Sequence, residues 1–306
     1  MFPPLGPNVG LVGPVLAAFG SEEQKARFLP PTASLDIFWC QGFSEPDAGS
    51  DLASLRTTAV LDGDQWVVNG QKTWTSLAHM ADWIFCLVRT NPQAARRQQG
   101  ISMLLIDLSS PGITVRPIRM IDGEAEVNEV FFDDVRVPAD QLVGEVDKGW
   151  DYAKFLLGNE RVGVAQIGNT KLRLARAKAH AAEPLADGST LLDDPVVARR
   201  IAALENDLAA LELTALRVVG SSSDGKADPA SSVLKLRGTE LQQEVARLVA
   251  DLAGSDSLAS AAGDTSDVPE WAQRSIPISL NLRKVTIYGG SSEIQRSIIA
   301  SSILGL

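Results

Sequence analysis

The stretch Phe131–Trp150, FFDDVRVPADQLVGEVDKGW, separates two kinds of periodicity in the chain. Before it, from about Asp36 to Gly144, apolar residues alternate in twos, the spacing of strands with one face buried. The runs Arg56–Leu61, Gln65–Val68, Trp83–Val88, Ile101–Ile106, Ile113–Ile118 and Val127–Phe132 are rich in β-branched and aromatic residues and are separated by turn signals such as DGD, NG and PG. This pattern predicts an antiparallel barrel or sandwich. After Gly149 the strands stop and helical spacing takes over.

In LLDDPVVARRIAALENDLAALELTALRVVG, Asp194-Pro195 forms an N-cap and first-turn pair, and Val197, Ile201, Leu204, Leu208 and Leu211 recur at helical spacing up to Gly220. A second long helix, around Leu234–Leu252, places Leu234, Leu241, Val245, Leu248 and Leu252 on one stripe. The polar connector SSSDGKADPASS lies between them, and the low-complexity loop AGSDSLASAAGDTSDVPE follows. Both long helices read as bundle core.

On the N-terminal side, Leu11–Phe19 is helical in pattern, and Ser21-Glu22-Glu23-Gln24 is a capping box for a short helix expected to end before Pro30-Pro31. The expected organisation is α+β: a helical remnant (1–34), a β domain (35–146) and a helical bundle (147–306).

The 306 residues, 45% of them hydrophobic, are ample for a buried core. A net charge of −10 argues against a general nucleic-acid binder or a protein held on anionic lipid. The opening MFPPLGPNVGLVGPVLAAFG lacks a basic n-region, and no apolar run approaches a membrane span. Cys40 and Cys86 sit in apolar runs and form no C-x-x-C pair, which predicts buried strand positions and a reducing cytoplasm. His79 and His180 are the only histidines, and no metal site is expected.

Three segments carry chemistry. In QGFSEPDAGSDLASL, Gln41–Leu55, Gly49 permits close backbone approach to a ligand while Ser44 and Ser50 present hydroxyls. NGQKTWTSLAHMADW, Asn69–Trp83, follows, and the chain closes on TIYGGSSEIQR, Thr286–Arg296. Together and in this order they resemble the acyl-CoA dehydrogenases, with Phe131–Trp150 resembling that family's exit from β domain to bundle. The resemblance covers nearly the whole chain. It implies the family's fold, an FAD cofactor and an acyl-CoA or carrier-bound acyl thioester as substrate. It further implies that Phe43, Ser44, Ser50, Trp74, Ser76, Ser291 and Glu293 contact the cofactor, Trp74 covering one flavin face, and that Ser50, Arg161 and Tyr288 contact the substrate.

Many members of the family carry the catalytic glutamate where this chain has Gly289. Desaturating a thioester sends an α-proton to a base and a β-hydride to flavin on the opposite face. Gly289 has no side chain for the first task, although its backbone N–H remains available to polarise the thioester carbonyl, as the family's residue does. Isovaleryl-CoA dehydrogenase and some relatives instead place the glutamate on the first bundle helix before an arginine. This chain reads FLLGNERVGVAQIG there. Helical spacing sets Glu160 on the stripe of Leu156 and Val164, an acid projecting from apolar neighbours. Glu160 is therefore the expected base, with Arg161 beside it for positioning or charge balance.

The chain departs from the family pattern in two respects. Most of the family's N-terminal helical domain is absent from this sequence. The Arg-x-x-Phe-Gly turn and Gly-Gly-x-Gly loop that contact FAD across a subunit interface are replaced by RAKAHAAEPLADG and LAGSDSLASAAG. The leading expectation is a dehydrogenase in a homo- or hetero-oligomer, dimer or tetramer, that passes electrons to an electron-transfer flavoprotein. A non-catalytic or half-site subunit of a mixed oligomer and an oxygen-using acyl-CoA oxidase are the alternatives.

Overall fold

The computed structural model describes residues 6–221, 228–259 and 267–306, the side chains of 158–162 and of Ser221 excepted. The chain divides into two compact units, Met1–Met120 with Glu124–Gly158, and Ile121–Gly123 with Asn159–Leu306.

In the first unit a π-helical segment, Gly6–Val12, leads into α1 (Gly13–Phe19) and α2 (Glu22–Ser34). The expected capping box is present: Gln24 N–H donates to Ser21 Oγ and Ser21 N–H to Gln24 Oε1, each at 3.2 Å. However, α2 does not stop before Pro30-Pro31; it runs through both to Ser34. The carbonyls left without an i+4 donor belong to Ala26 and Arg27, which are exposed, so water satisfies them. Phe28 and Thr32 are buried on either side of the prolines and hold the helix down.

The strands are β1 (Trp39–Gly42), β2 (Thr58–Asp62), β3 (Gln65–Ser76), β4 (Trp83–Arg89), β5 (Ile101–Asp107), β6 (Ile113–Ile118) and β7 (Val127–Pro138). They form one sheet ordered β1-β4-β2-β3-β7-β6, with β5 on β4. The pairings β2–β3, β3–β7, β4–β5 and β6–β7 are antiparallel. The pairing of β1 with β4 and the single match Thr58–Arg89 are parallel.

Strands β4 and β5 read as unbroken apolar runs because both their faces are covered. Phe85, Leu87, Met103 and Leu105 enter one core with α1, α2 and Tyr152, while Ile84, Cys86, Leu104 and Ile106 enter a second with β2, β3 and β7. Cys40 and Cys86 lie buried in this sheet as free thiols.

Asn69-Gly70 is not a turn between strands; it lies inside β3. A β-carbon on Gly70 would come within 2.7 Å of Thr57 Cα, so the position requires glycine. Opposite it, β7 carries an extra residue, and Asp134 adopts φ +47°. Asn69 closes the irregularity by donating from Nδ2 to Asp134 Oδ1 and accepting the Asp134 N–H at Oδ1, each at 2.9 Å.

Helix α3 spans Gly149–Val164, and its residues from Asn159 onward belong to the second unit. That unit contains α4 (Ile167–Ala181), α5 (Pro195–Ser221), α6 (Ser231–Ala253), the short helices α7 (Glu270–Gln273) and α8 (Ser275–Asn281), and α9 (Ser292–Ile299). Helix α5 begins as expected, with Val196 N–H donating to Asp194 Oδ1 at 2.7 Å. Its Ile201, Leu204, Leu208 and Leu211 pack with Leu174 of α4 and Leu234, Leu241, Val245 and Leu248 of α6. Gly238 of α6 meets Ala165 closely; a β-carbon there would lie 2.7 Å from Ala165 Cα. Among the described residues no helix is long and apolar enough to cross a membrane.

Candidate active site

In the first unit, the loop after β1 and the bulged end of β3 are sewn together by motif residues to which the sequence reading gave no role. Glu45 N–H and Ala48 N–H each donate to the other residue's carbonyl at 3.0 Å, closing the Glu-Pro turn. The Glu45 side chain is buried and accepts from Arg56 N–H (2.6 Å), Thr57 N–H (2.9 Å) and Lys72 Nζ (2.7 Å). Lys72, wholly buried, also donates to Phe43 O at 3.2 Å, and Thr73 N–H to Ser44 O at 2.9 Å. Burial pushes the Glu45 carboxyl up, but the Lys72 ammonium and the hydrogen bonds from Lys72, Thr57 and Arg56 outweigh it and hold the group below the ordinary carboxylate range. Any Glu and Lys in these two motifs could have been surface residues; only their meeting across 27 positions reveals the pair.

This stitching places Ser44 beside the segment that carries Trp74. Between Lys72 and Thr75, β3 has one residue more than β7, and Trp74 takes φ +59° there with its indole 60% exposed. A left-handed bulge at a bulky residue is rare and costs free energy. Asn128 holds the bulge from beneath, donating from Nδ2 to Thr75 O at 2.9 Å, while its Oδ1 lies 3.0 Å from His79 Nδ1. Ser76 is exposed like Trp74, and Thr75 between them is buried. Gly49 and Ser50 are exposed, Ser44 is half-buried and Phe43 is buried in the core.

These residues fit a flavin. An aromatic face is held out of the core against backbone preference, hydroxyls of Ser44, Ser50 and Ser76 stand near the surface, and the Thr75 hydroxyl is buried without a hydrogen-bond partner.

In the second unit the closing segment is anchored from α6: Gln243 Nε2 donates to Leu282 O (3.1 Å), Arg283 O (3.3 Å) and Thr286 Oγ1 (3.3 Å). Gly289 and Gly290 follow with φ +61° and +85°, a doubly left-handed turn that glycine adopts at no steric cost. Tyr288 is exposed. The Ser291 hydroxyl caps α9, accepting from Ile294 N–H at 3.4 Å. Glu293 is solvent-exposed, and hydrogen bonds from its own N–H and from Ser291 lower its carboxyl pKa. A β-carbon on Gly289 would lie 3.6 Å from Val164 Cγ2, ordinary contact distance. Glu160 and Arg161 lie in α3 by backbone, one turn before Val164; their side chains fall outside the described residues.

Comparison with known proteins identifies the family. The family model of the acyl-CoA dehydrogenase middle domain matches residues 40–135, and that of the acyl-CoA dehydrogenase C-terminal domain matches 147–304. Acyl-CoA dehydrogenase IpdE1 of Mycobacterium tuberculosis is 44% identical over 97% of this chain and 74% of its own length. One chain of the ChsE4-ChsE5 complex from Mycobacterium tuberculosis superposes with a TM-score of 0.87 at 34% identity, covering 100% of this chain and 78% of the solved one. The Tcur3481-Tcur3483 steroid ACAD gives a TM-score of 0.87 at 31% identity, over 97% of this chain and 76% of the solved one. The chain belongs to the acyl-CoA dehydrogenase family, a family of flavoprotein oxidoreductases.

Proposed function

We propose that the chain catalyses FAD-dependent α,β-dehydrogenation of an acyl-CoA thioester, with Glu160 as the base. The observation that carries this reading is the nearness of Gly289 to Val164, where a β-carbon on the glycine would lie 3.6 Å from Val164 Cγ2. The family's usual base position, without a side chain here, rests on the helix that carries Glu160, one turn away on the same stripe. A carboxylate in that place takes the α-proton, and its pKa rises toward the task as substrate excludes water.

Gly289 N–H donates to the thioester carbonyl, and Ser50, Arg161 and Tyr288 contact the substrate. FAD, when bound, supplies the acceptor for the β-hydride. Phe43, Ser44, Ser50, Trp74, Ser76, Ser291 and Glu293 would hold it, and an electron-transfer flavoprotein would receive the electrons. A sterol-derived acyl group is the substrate class we favour, because a solved relative of similar sequence is described as a steroid ACAD.

Purified Glu160→Gln should keep its visible flavin band yet show no bleaching on addition of acyl-CoA. Bleaching at the wild-type rate would remove Glu160 from the role. A panel of short branched, dicarboxylic and sterol-derived thioesters on the wild-type chain tests the substrate class; preference for either of the first two overturns it.

A second reading has its own support. The family's two cross-subunit FAD motifs are missing from the sequence, and the ChsE4-ChsE5 neighbour is a complex of two different chains. On this reading the chain completes a mixed oligomer. A colourless protein that gains flavin only with a second dehydrogenase subunit would favour it, whereas stoichiometric flavin in the chain alone would exclude it.

A further inference from the structure

Gln295 is 1% exposed in the first turn of α9, yet among the described residues its side chain makes no hydrogen bond to another helix. It turns back instead: Nε2 donates to Gly289 O and Gly290 O, each at 3.3 Å. Both acceptors are carbonyl oxygens, so a flipped amide would set oxygen against oxygen, and the chemistry of the partners fixes which atom faces the turn. The other end of the amide, Oε1, is buried with no hydrogen-bond partner. A buried polar atom left unmatched costs stability, so the residue is retained at a loss that an apolar side chain of the same length would avoid.

Glycine at 290 belongs to the same device. A β-carbon there would overlap Gln295 Nε2, so the amide occupies the space that any other residue at 290 would fill. Two consecutive left-handed residues are a soft piece of backbone, and a glycine pair alone does not select one geometry. Binding both carbonyls to one nitrogen does select one. Fixing each C=O also fixes the trans N–H of the same peptide unit, those of Gly290 and Ser291, on the side away from Gln295.

We propose that Gln295 is a positioning residue for the thioester site: by clamping the carbonyls of Gly289 and Gly290 it fixes the two peptide planes that follow the Gly289 α-carbon, and with them the turn at whose first residue the Gly289 N–H is offered to the substrate carbonyl. This inference rests on the dehydrogenase reading for its catalytic consequence, but the clamp itself is a property of the chain.

The experiment compares Gln295→Met, Gln295→Glu, Gly290→Ala and the Gly290→Ala/Gln295→Met double variant of the full chain. The first readout is amide hydrogen exchange of peptides spanning 286–296, which needs no flavin and no turnover. Gln295→Met should speed exchange in this segment several-fold and leave peptides of β4 and β5 unchanged. Because Gly290→Ala expels the same amide, the double variant should be no worse than the worse single one.

The second readout is steady-state kinetics, where a misplaced donor should lower kcat roughly 10- to 100-fold while KM stays within about twofold. Gln295→Glu should recover kcat as pH falls, since only a protonated carboxyl donates to the two carbonyls. Unchanged exchange in Gln295→Met, additive effects of the two substitutions, or a flat pH response of Gln295→Glu would overturn the clamp. If Glu160→Gln still bleaches flavin, the base assignment fails while the exchange result stands on its own.

Discussion

Lys72 and Glu45 meet at 2.7 Å with the lysine wholly enclosed, and their contact joins the two motifs that were separate in the sequence. Removing one partner leaves the other charge buried and uncompensated. Lys72→Met and Glu45→Gln should each cost about 3–5 kcal/mol of unfolding free energy in denaturant titrations, and the double variant much less than their sum. Strictly additive losses would show that the pair is not coupled.

The same carboxyl gives a pH signature. Its folded pKa is lowered, so its contribution to stability is complete above the unfolded carboxylate value and is lost as pH falls through the folded one. Glu45→Gln should therefore flatten the acid limb of a plot of stability against pH and do little to the alkaline side.

Trp74 sits at φ +59°, where glycine would be relaxed. Trp74→Gly should keep the stability of the flavin-free chain within about 1 kcal/mol of wild type, because relieved strain offsets the entropy that glycine adds to the unfolded state. Flavin affinity should fall at least tenfold. A flavin titration beside a thermal melt measures both, and intact affinity would refute the role given to the indole.

Gly289 has room for a β-carbon 3.6 Å from Val164, so space is not what keeps a side chain out. Glu160→Gly/Gly289→Glu should regain part of the bleaching lost in Glu160→Gly alone, at a cost of roughly 1–2 kcal/mol for a non-glycine residue at positive φ. No recovery in a folded, flavin-loaded double variant would place the two positions too far apart to share a task.

Burial raises the Cys40 thiol, with the neighbouring Cys86 adding to it, and pushes Cys86 up to about 11. Both should resist iodoacetamide at pH 8 in the folded chain and react only as fast as the chain opens. Prompt labelling of either would contradict the sheet core described above.

The β-then-α order was legible in the sequence because period two and period 3.6 are local patterns, as were the caps at Ser21 and Asp194. Other features depended on partners distant in sequence. Helix α2 continues through Pro30 because its freed carbonyls happen to face water, and Asn69-Gly70 stays inside a strand because Thr57 presses on it from a neighbour. The contacts of Glu45, Lys72 and Gln295 went unread for the same reason. Each is an ordinary polar letter until the fold supplies its counterpart. Trp74 was singled out through the resemblance alone, since no local rule foretells an exposed indole in a left-handed bulge.

The proximity of Gly289 to Val164 also bears on how such enzymes diverge. Two segments more than a hundred residues apart in sequence converge on one spot, so if Glu160 is the base as proposed, two point substitutions would relocate the proton acceptor while leaving the surrounding scaffold alone. The routes are not equivalent: an acid on the helix keeps a relaxed backbone, whereas one at 289 must tolerate a left-handed conformation. Drift between the two should therefore be easier toward the helix than away from it, and ancestral reconstruction could read that direction.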